Sequence, residues 1–209
     1  MSRAIGIDLE KANSSYRRGD NGCEDITIDN CTIFTVGTGI HFGQDAGYCD
    51  VDTTEIALSS SYAINEDSDG DGYHRFTGLY IDLDADFSGS HLIYLTCPGN
   101  SVNDCLIIDY YSSTYPTVNC IVFDSAAHGS EASHNVIRGC GGGGATGIYV
   151  LADYTRIQDN YFENTQGAGK DIYIAASANK TIVTGNHYDV DIDDDGSNTW
   201  IDTNSNILI

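Results

Sequence analysis

Basic residues are scarce in this sequence, and their scarcity excludes several classes of partner. The chain of 209 residues has 9 Lys and Arg against 31 Asp and Glu, which gives a formal net charge of -22 at pH 7. Nucleic acid phosphates and anionic membrane surfaces repel such a chain. We therefore expect no nucleic acid partner, whereas a saline environment or the binding of divalent cations would suit the charge.

Long apolar runs and metal-binding cysteine spacings are also missing. No segment approaches the roughly 20 apolar residues that span a bilayer, so we predict no membrane insertion. The seven cysteines include no C-x-x-C spacing, which argues against a zinc cluster, and their odd number rules out complete pairing within one chain. Several stand beside apolar strand residues, as Cys31 and Cys120 do, and we predict that the cysteines are small buried core residues.

The sequence does contain a short repeated segment with the periodicity of a β-strand. Residues 147–150, 171–174 and 189–192 each place apolar residues two positions apart, which is the alternation of a β-strand. Ile148 and Ile172 are 24 residues apart, and Val190 follows after another 18. Such spacings are typical of the coils of a repeat protein, in which each coil buries its apolar face against its neighbours.

Aligning these phrases predicts two apolar columns and one corner column of small, polar or aromatic residues. The first strand of each coil contributes Ile28, Leu58, Ile81, Ile107, Ile137, Ile157 and Val183. The second strand contributes Ile7, Ile40, Ile64, Leu92, Ile121, Ile148, Ile172 and Val190. Three residues beyond the first column stand Cys31, Ser61, Asp84, Tyr110, Cys140, Asn160 and Asn186. Stacked amide side chains at a corner can bond the backbone of successive coils.

Three segments resemble the repeats of right-handed parallel β-helix proteins, the pectate-lyase-like superfamily that includes phage tailspikes. They are DITIDNCTIFTVGTGIHFG, TRIQDNYFENTQGAGKDIYIAAS and TIVTGNHYDVDIDDDGSNTWI. The resemblance covers about residues 25–209 and implies an all-β fold, a right-handed parallel β-helix of about seven to eight coils. We predict one domain over residues 1–209, with an irregular turn and loop in residues 1–24. An antiparallel β-sandwich is the alternative, but it does not explain a polar position at a fixed offset.

Outward carboxylates are the first candidate for chemistry. Asp29, Asp82 and, with a shift of one residue, Asp109 follow the aligned apolar positions. Two carboxylates on adjacent coils could act as the acid and nucleophile of a glycoside hydrolase or hold calcium. The alternative is a solvated acidic face. The sequence lacks the framing of paired Asp and Gly-His-Gly found in polygalacturonase-type members, and no basic residue stands in an acidic sequence cluster, so catalysis is not supported.

An acidic loop is the candidate metal site. Asp67, Asp69 and Asp71 lie in the segment NEDSDGDGYHR, where clustered carboxylates suit a hard cation, and Ca²⁺ is the candidate ion. The helices that flank an EF-hand loop are absent from the sequence pattern.

Outward aromatic residues on the second strand are the candidate ligand site. His41, Tyr149 and Tyr173 stand between inward neighbours, and Tyr94 joins them if its coil aligns on Ile93. Tyrosines on adjacent coils would form a flat ledge suited to a sugar ring. The alternatives are stacking that only stabilises the sheet, or burial against a partner chain.

These patterns favour a structural or adhesive role over catalysis. The resemblance implies a β-helix protein of a virion or cell surface, with a glycan as a candidate ligand and an extracellular location. The alternative is a polysaccharide lyase or glycoside hydrolase of the same superfamily, since one fold carries all of these functions. A parallel stack leaves open edges that must be covered, so we also predict a homo-oligomer, with a trimer favoured, or a larger virion or surface assembly.

Overall fold

The computed structural model describes residues 5–9, 25–35, 37–58, 61–83, 89–109, 118–139, 145–163 and 169–209. Within these residues the chain forms 24 short β-strands and no helix, so no helix of the described residues could cross a membrane. The strands are two to five residues long, which is short even for a β protein. Their stability therefore depends on how they stack.

The strands form three parallel sheets of eight strands, and each sheet takes every third strand of the chain. The first sheet contains β1 (Ile5–Leu9), β4 (Thr38–Phe42), β7 (Tyr62–Glu66), β10 (His91–Leu95), β13 (Asn119–Phe123), β16 (Thr146–Val150), β19 (Lys170–Ile174) and β22 (Ile192–Asp194). The second sheet contains β2 (Thr27–Asp29), β5 (Asp50–Asp52), β8 (Arg75–Thr77), β11 (Ser101–Asn103), β14 (Glu131–Ser133), β17 (Arg156–Gln158), β20 (Ile182–Thr184) and β23 (Trp200–Ile201).

The third sheet contains β3 (Thr32–Thr35), β6 (Glu55–Leu58), β9 (Tyr80–Leu83), β12 (Leu106–Asp109), β15 (Val136–Arg138), β18 (Tyr161–Glu163), β21 (His187–Tyr188) and β24 (Ile207–Leu208). Because successive strands lie in different sheets and every strand pairs in parallel with the next coil, the chain winds as a β-solenoid. The predicted all-β parallel β-helix is confirmed, and the antiparallel sandwich is excluded.

The interior of the first sheet is a column of eight isoleucines, one from each coil. They are Ile7, Ile40, Ile64, Ile93, Ile121, Ile148, Ile172 and Ile192. The six central members are completely buried in one hydrophobic cluster. The sequence alignment is right at six positions and wrong at two, because Ile93 and Ile192 occupy the places given to Leu92 and Val190.

Each coil has three strands rather than the two that the alignment assumed. Residues 25–33 read as one alternating run, but Asn30 adopts a left-handed φ of 51° and ends β2 before β3 begins. The predicted first column therefore mixes two sheets. Its members in the second sheet are Ile28, Ile157 and Val183, and those in the third are Leu58, Ile81, Ile107 and Ile137.

Two left-handed residues recur in nearly every coil and turn the chain at two corners. The first corner joins the first and second sheets, and its left-handed residues are Tyr48, Tyr73, Gly99, Gly129, Tyr154, Lys180 and Asn198. The second corner joins the second and third sheets, and its left-handed residues are Asn30, Thr53, Gly78, Asp104, His134, Asp159 and Gly185. Asn, Asp and Gly tolerate this conformation, whereas tyrosine and threonine rarely adopt it.

Buried asparagines form a ladder inside the second corner. The Oδ1 of Asn160 accepts hydrogen bonds from the backbone N and the Nδ2 of Asn135, at 3.0 and 2.9 Å. In the same way, the Oδ1 of Asn186 accepts two hydrogen bonds from Asn160, and the Oδ1 of Asn206 accepts two from Asn186. The predicted corner role of Asn160 and Asn186 is therefore correct. Asn135 extends the ladder by one residue. Ser61 lies elsewhere, directly before β7. The other predicted members, Asp84, Tyr110 and Cys140, lie outside the described residues.

The inside of the first corner contains an acid instead. The side chain of Glu66 is fully buried, and its Oε2 accepts hydrogen bonds from the backbone N of Thr96, the backbone N of Cys97 and the Nδ2 of Asn100, at 2.7, 2.8 and 2.9 Å. Its Oε1 lies 3.3 Å from the Nε2 of His74, which is equally buried. The Nδ1 of His74 accepts a hydrogen bond from the backbone N of Cys49, so Nε2 carries the proton that faces Glu66.

The cysteines only partly match the prediction of buried core thiols. Cys49, Cys97 and Cys105 are buried, and burial raises the pKa of the Cys97 and Cys105 thiols to about 12. Cys31 is exposed, because it lies between β2 and β3, the end strands of their sheets, whereas the equivalent Thr54 and Cys105 of inner coils are buried. Cys120 is buried but disulfide-bonded, and its partner lies outside the residues that the structure describes. The prediction is thus wrong for Cys31 and incomplete for Cys120.

Candidate ligand face on the first sheet

One outward row runs across the first sheet, with one residue from each coil. It consists of Asp8, His41, Asn65, Tyr94, Val122, Tyr149, Tyr173 and Asp193. The isoleucine column sets this register, since each member directly follows an inward isoleucine. All four predicted ligand residues, His41, Tyr94, Tyr149 and Tyr173, therefore lie in one row. Their role in binding stays a prediction.

Tyr149 and Tyr173 are direct neighbours in this row. Their ring centroids are 5.2 Å apart with an angle of 30° between the planes, and both rings are partly exposed. The hydroxyl of Tyr173 donates a hydrogen bond of 2.9 Å to the Oδ2 of Asp195. This hydrogen bond raises the pKa of Tyr173, so the phenol stays protonated. The pair is a fixed aromatic surface with a polar rim.

Lys170 stands beside this pair, in contact with acids of the next coil. Its Nζ lies 2.8 Å from the Oδ2 of Asp191 and 3.4 Å from that of Asp193. The hydrogen bond to Asp191 raises the pKa of Lys170, which favours the ammonium form. Sequence reasoning missed this acidic contact, because the alignment on Val190 displaced these acids. Alignment on Ile192 would have placed Asp193 beside Tyr173.

A second aromatic group lies in the middle of the same sheet. The rings of His91 and Tyr94 stack at 5.1 Å with an angle of 14°, and Tyr62 lies 6.3 Å from Tyr94. Burial and a short hydrogen bond from its hydroxyl to Asp124 raise the pKa of Tyr94, while burial lowers the pKa of His91. The fully buried Val122 separates this group from Tyr149 in the row, so the face has two separate aromatic groups.

His41 is held between two carboxylates from neighbouring coils. Its Nδ1 lies 2.8 Å from the Oδ1 of Asp8, and its Nε2 lies 3.2 Å from the Oδ1 of Asp67. Partial burial favours the neutral imidazole, but the hydrogen bonds and charges of both acids outweigh it and raise the pKa of His41. Its ring is thus engaged by carboxylates on both nitrogens.

The structure separates the candidate metal ligands. The side chain of Asp67 contacts His41, whereas Asp69 and Asp71 form hydrogen bonds through the backbone, at Asp69 O and Asp71 N. In the part of the chain that the structure describes, no three His, Cys, Asp or Glu side chains are grouped to hold a metal ion. Calcium stays a prediction. Equal melting temperatures with calcium and with chelator would contradict it.

The candidate catalytic acids do not lie in one row. Asp29 belongs to the second sheet and stands beside Asp52, while Asp82 belongs to the third sheet and stands beside Ile108. Asp109 stands beside Leu83, one residue out of register with Asp82, and its side chain lies outside the described residues. The predicted carboxylate stripe is therefore wrong as an alignment, because it combined strands of two sheets.

These features define the chain as a parallel β-solenoid with an aromatic and charged face on its first sheet. No known protein family matches the chain, and no characterised protein is significantly similar to it in sequence. A general base works best when its pKa is near the working pH. Because Lys170, Tyr173 and Tyr94 are all held in their protonated forms, the face is suited to binding through rings and hydrogen bonds.

Proposed function

We propose that this protein is a structural or adhesive component of a virion or cell surface, and that its first sheet binds a glycan. The observation that supports the proposal is the partly exposed pair of Tyr149 and Tyr173, bordered by Lys170, Asp193 and Asp195. Sugar rings present apolar faces to aromatic side chains and hydroxyls to charged groups, and this arrangement offers both.

A glycan array with matched variants tests the site. Tyr149→Ala and Tyr173→Ala should each weaken binding about tenfold, because each removes one stacking surface. Trp200→Ala is the control, since Trp200 is an exposed aromatic residue of the second sheet. Unchanged binding in both first-sheet variants would exclude the ledge.

The alternative function, a polysaccharide lyase or glycoside hydrolase, has less support. Lys170 is tied to two carboxylates as an ammonium, which makes it a poor base. Assaying polysaccharide cleavage by the protein and by its Lys170→Met variant separates the two functions. Cleavage that depends on Lys170 would favour the enzyme.

We also propose that copies of the chain associate laterally, as a homotrimer, in an extracellular setting. Part of the outward row on the third sheet supports this. The four neighbouring members between Glu55 and His187 are uncharged and at least partly exposed, namely Tyr80, Leu106, Val136 and Tyr161. Light scattering should give a trimer, and Leu106→Asp with Val136→Asp should give a monomer. A monomeric wild-type protein would contradict the proposal.

A further inference from the structure

The first corner exposes two tyrosines that belong neither to the first-sheet ledge nor to the outward row of the third sheet. Tyr48 and Tyr73 stand on adjacent coils, and their rings are parallel within 5° at a centroid distance of 5.3 Å. Their exposed fractions are 52% and 48%, so about half of each residue faces solvent. Two such rings form a flat aromatic surface on the outside of the solenoid.

The backbone at these positions favours a different residue. Tyr48 and Tyr73 have φ values of 54° and 59°, in the left-handed region that bulky side chains rarely adopt. The next two coils place Gly99 and Gly129 at the same corner position, with φ values of 71° and 69°. Glycine makes this turn without steric cost, so the turn does not require the tyrosines. Strained, exposed residues of this kind point to a use outside folding.

Further along the same corner the surface continues as a notch and a third aromatic ring. The ring of Tyr73 covers Gly99, because a Cβ on Gly99 would meet its Cδ1. A Cβ on Gly129 would have no atom within 4 Å, so this position is open. Tyr154 follows, 54% exposed, with the Nζ of Lys180 lying 4.7 Å from its ring centroid. Three coil spacings separate Tyr73 from Tyr154, which is roughly 14 Å.

We infer that Tyr48, Tyr73, Gly129 and Tyr154 line a shallow trough that binds an uncharged oligosaccharide running along the solenoid. Aromatic surfaces at both ends stack against sugar rings, and the Gly129 notch leaves room for the linking residues. The net charge of -22 disfavours anionic polysaccharides and nucleic acid bases, which would also stack. The trough lies at the first corner and does not depend on the ledge of Tyr149 and Tyr173.

The test is titration calorimetry of the full chain with a length series of neutral gluco-, manno- and galacto-oligosaccharides. The Tyr48→Gly/Tyr73→Gly variant carries the residue that the next coils use, so we expect it to fold and to keep its melting temperature. We expect it to bind the longest oligosaccharides about tenfold more weakly. Gly129→Asn fills the notch with a residue that tolerates the left-handed turn. It should weaken the binding of long oligosaccharides but not that of disaccharides.

Trp200→Ala is the control, because Trp200 is an exposed aromatic residue of the second sheet outside both the trough and the ledge, and its removal should leave binding unchanged. Several outcomes would overturn the inference. They are no binding by the wild-type protein, equal binding by the glycine variant, a melting temperature that falls by many degrees in that variant, and a loss of oligomers in that variant. The last two would show that the rings serve packing within the chain or between copies.

Discussion

At the two inner corners of the solenoid, different side chains form hydrogen bonds with the buried backbone. The second corner repeats one neutral side chain through Asn135, Asn160, Asn186 and Asn206. The first corner combines Glu66 and His74 of one coil with Asn100 of the next, and the three residues are of different types. A buried backbone at a turn must find partners, and both arrangements provide them. The difference shows that a corner can be closed either by one repeated neutral amide or by a single cluster that contains an ionisable acid.

Removing the buried acid should have the largest effect. Glu66→Ala leaves the backbone N of Thr96 and of Cys97 without their acceptor and opens a cavity, so we expect a loss of about 4 kcal/mol in the free energy of unfolding. Glu66→Gln keeps the shape and should lose about 2 kcal/mol. Urea unfolding measures both. A Gln variant as stable as the wild type would mean that the corner needs no charge.

Interrupting the amide ladder should have a somewhat smaller effect. Asn160→Ala removes the two hydrogen bonds that the side chain donates, to Ala132 O and Asn186 Oδ1, and the two that it accepts from Asn135. We expect a loss of about 3 kcal/mol in the free energy of unfolding. The loss should be the same at pH 5 and at pH 8, roughly the span in which His titrates, because no ionised group takes part. Asn204→Ala, at an exposed asparagine outside the ladder, is the control for urea unfolding. A pH-dependent loss would contradict the neutral ladder.

The ion pairs of His41, outside the first corner, should make a smaller and pH-dependent contribution to the free energy of unfolding. The pKa of His41 is raised in the folded state, so its contribution to stability is complete below the unfolded pKa of about 6.5 and is lost as pH rises through the folded pKa. Asp8→Asn should reduce this dependence by removing one partner. NMR titration of the imidazole, with melting temperatures across the same range, measures it. An unchanged imidazole titration in Asp8→Asn would contradict the ion pair.

The exposed pair of Arg75 and Asp50 should have the smallest effect. Two hydrogen bonds from the guanidinium hold the pKa of Asp50 below its usual value. Its contribution is therefore present above the ordinary carboxyl pKa and is lost as pH falls through the folded pKa. Salt should weaken it, since the pair lies at the surface. Melting curves of Arg75→Met at low and high salt measure the difference. Equal salt dependence in wild type and variant would show that the pair contributes nothing.

The fold could be predicted from the sequence because its strongest signal is local. Ile40, Ile148 and Ile172 stand in five-residue strands, which are long enough to show alternation. The strands of the third sheet are often two or three residues long, so alternation cannot distinguish them from the strand before the corner. The three-stranded coil was missed for this reason.

Parts of the candidate site could be predicted for the same reason. Tyr149 and Tyr173 occupy the position after a correctly aligned isoleucine, so their proximity follows from the repeat. The contacts of Lys170 could not be found, because they depend on a register that shifts by two residues in the last coil. The cluster around Glu66 was missed because its members share no residue type from coil to coil.

The isoleucine column also means that the number of coils determines the length of the solenoid. Each coil contributes one isoleucine and the same set of hydrogen bonds to the coil below and to the coil above. A coil inserted or deleted as a whole would leave every remaining isoleucine with equivalent neighbours, and the rod would change by roughly 4.8 Å. Duplication of a gene segment could therefore tune the reach of such a protein stepwise, without redesign of its interior.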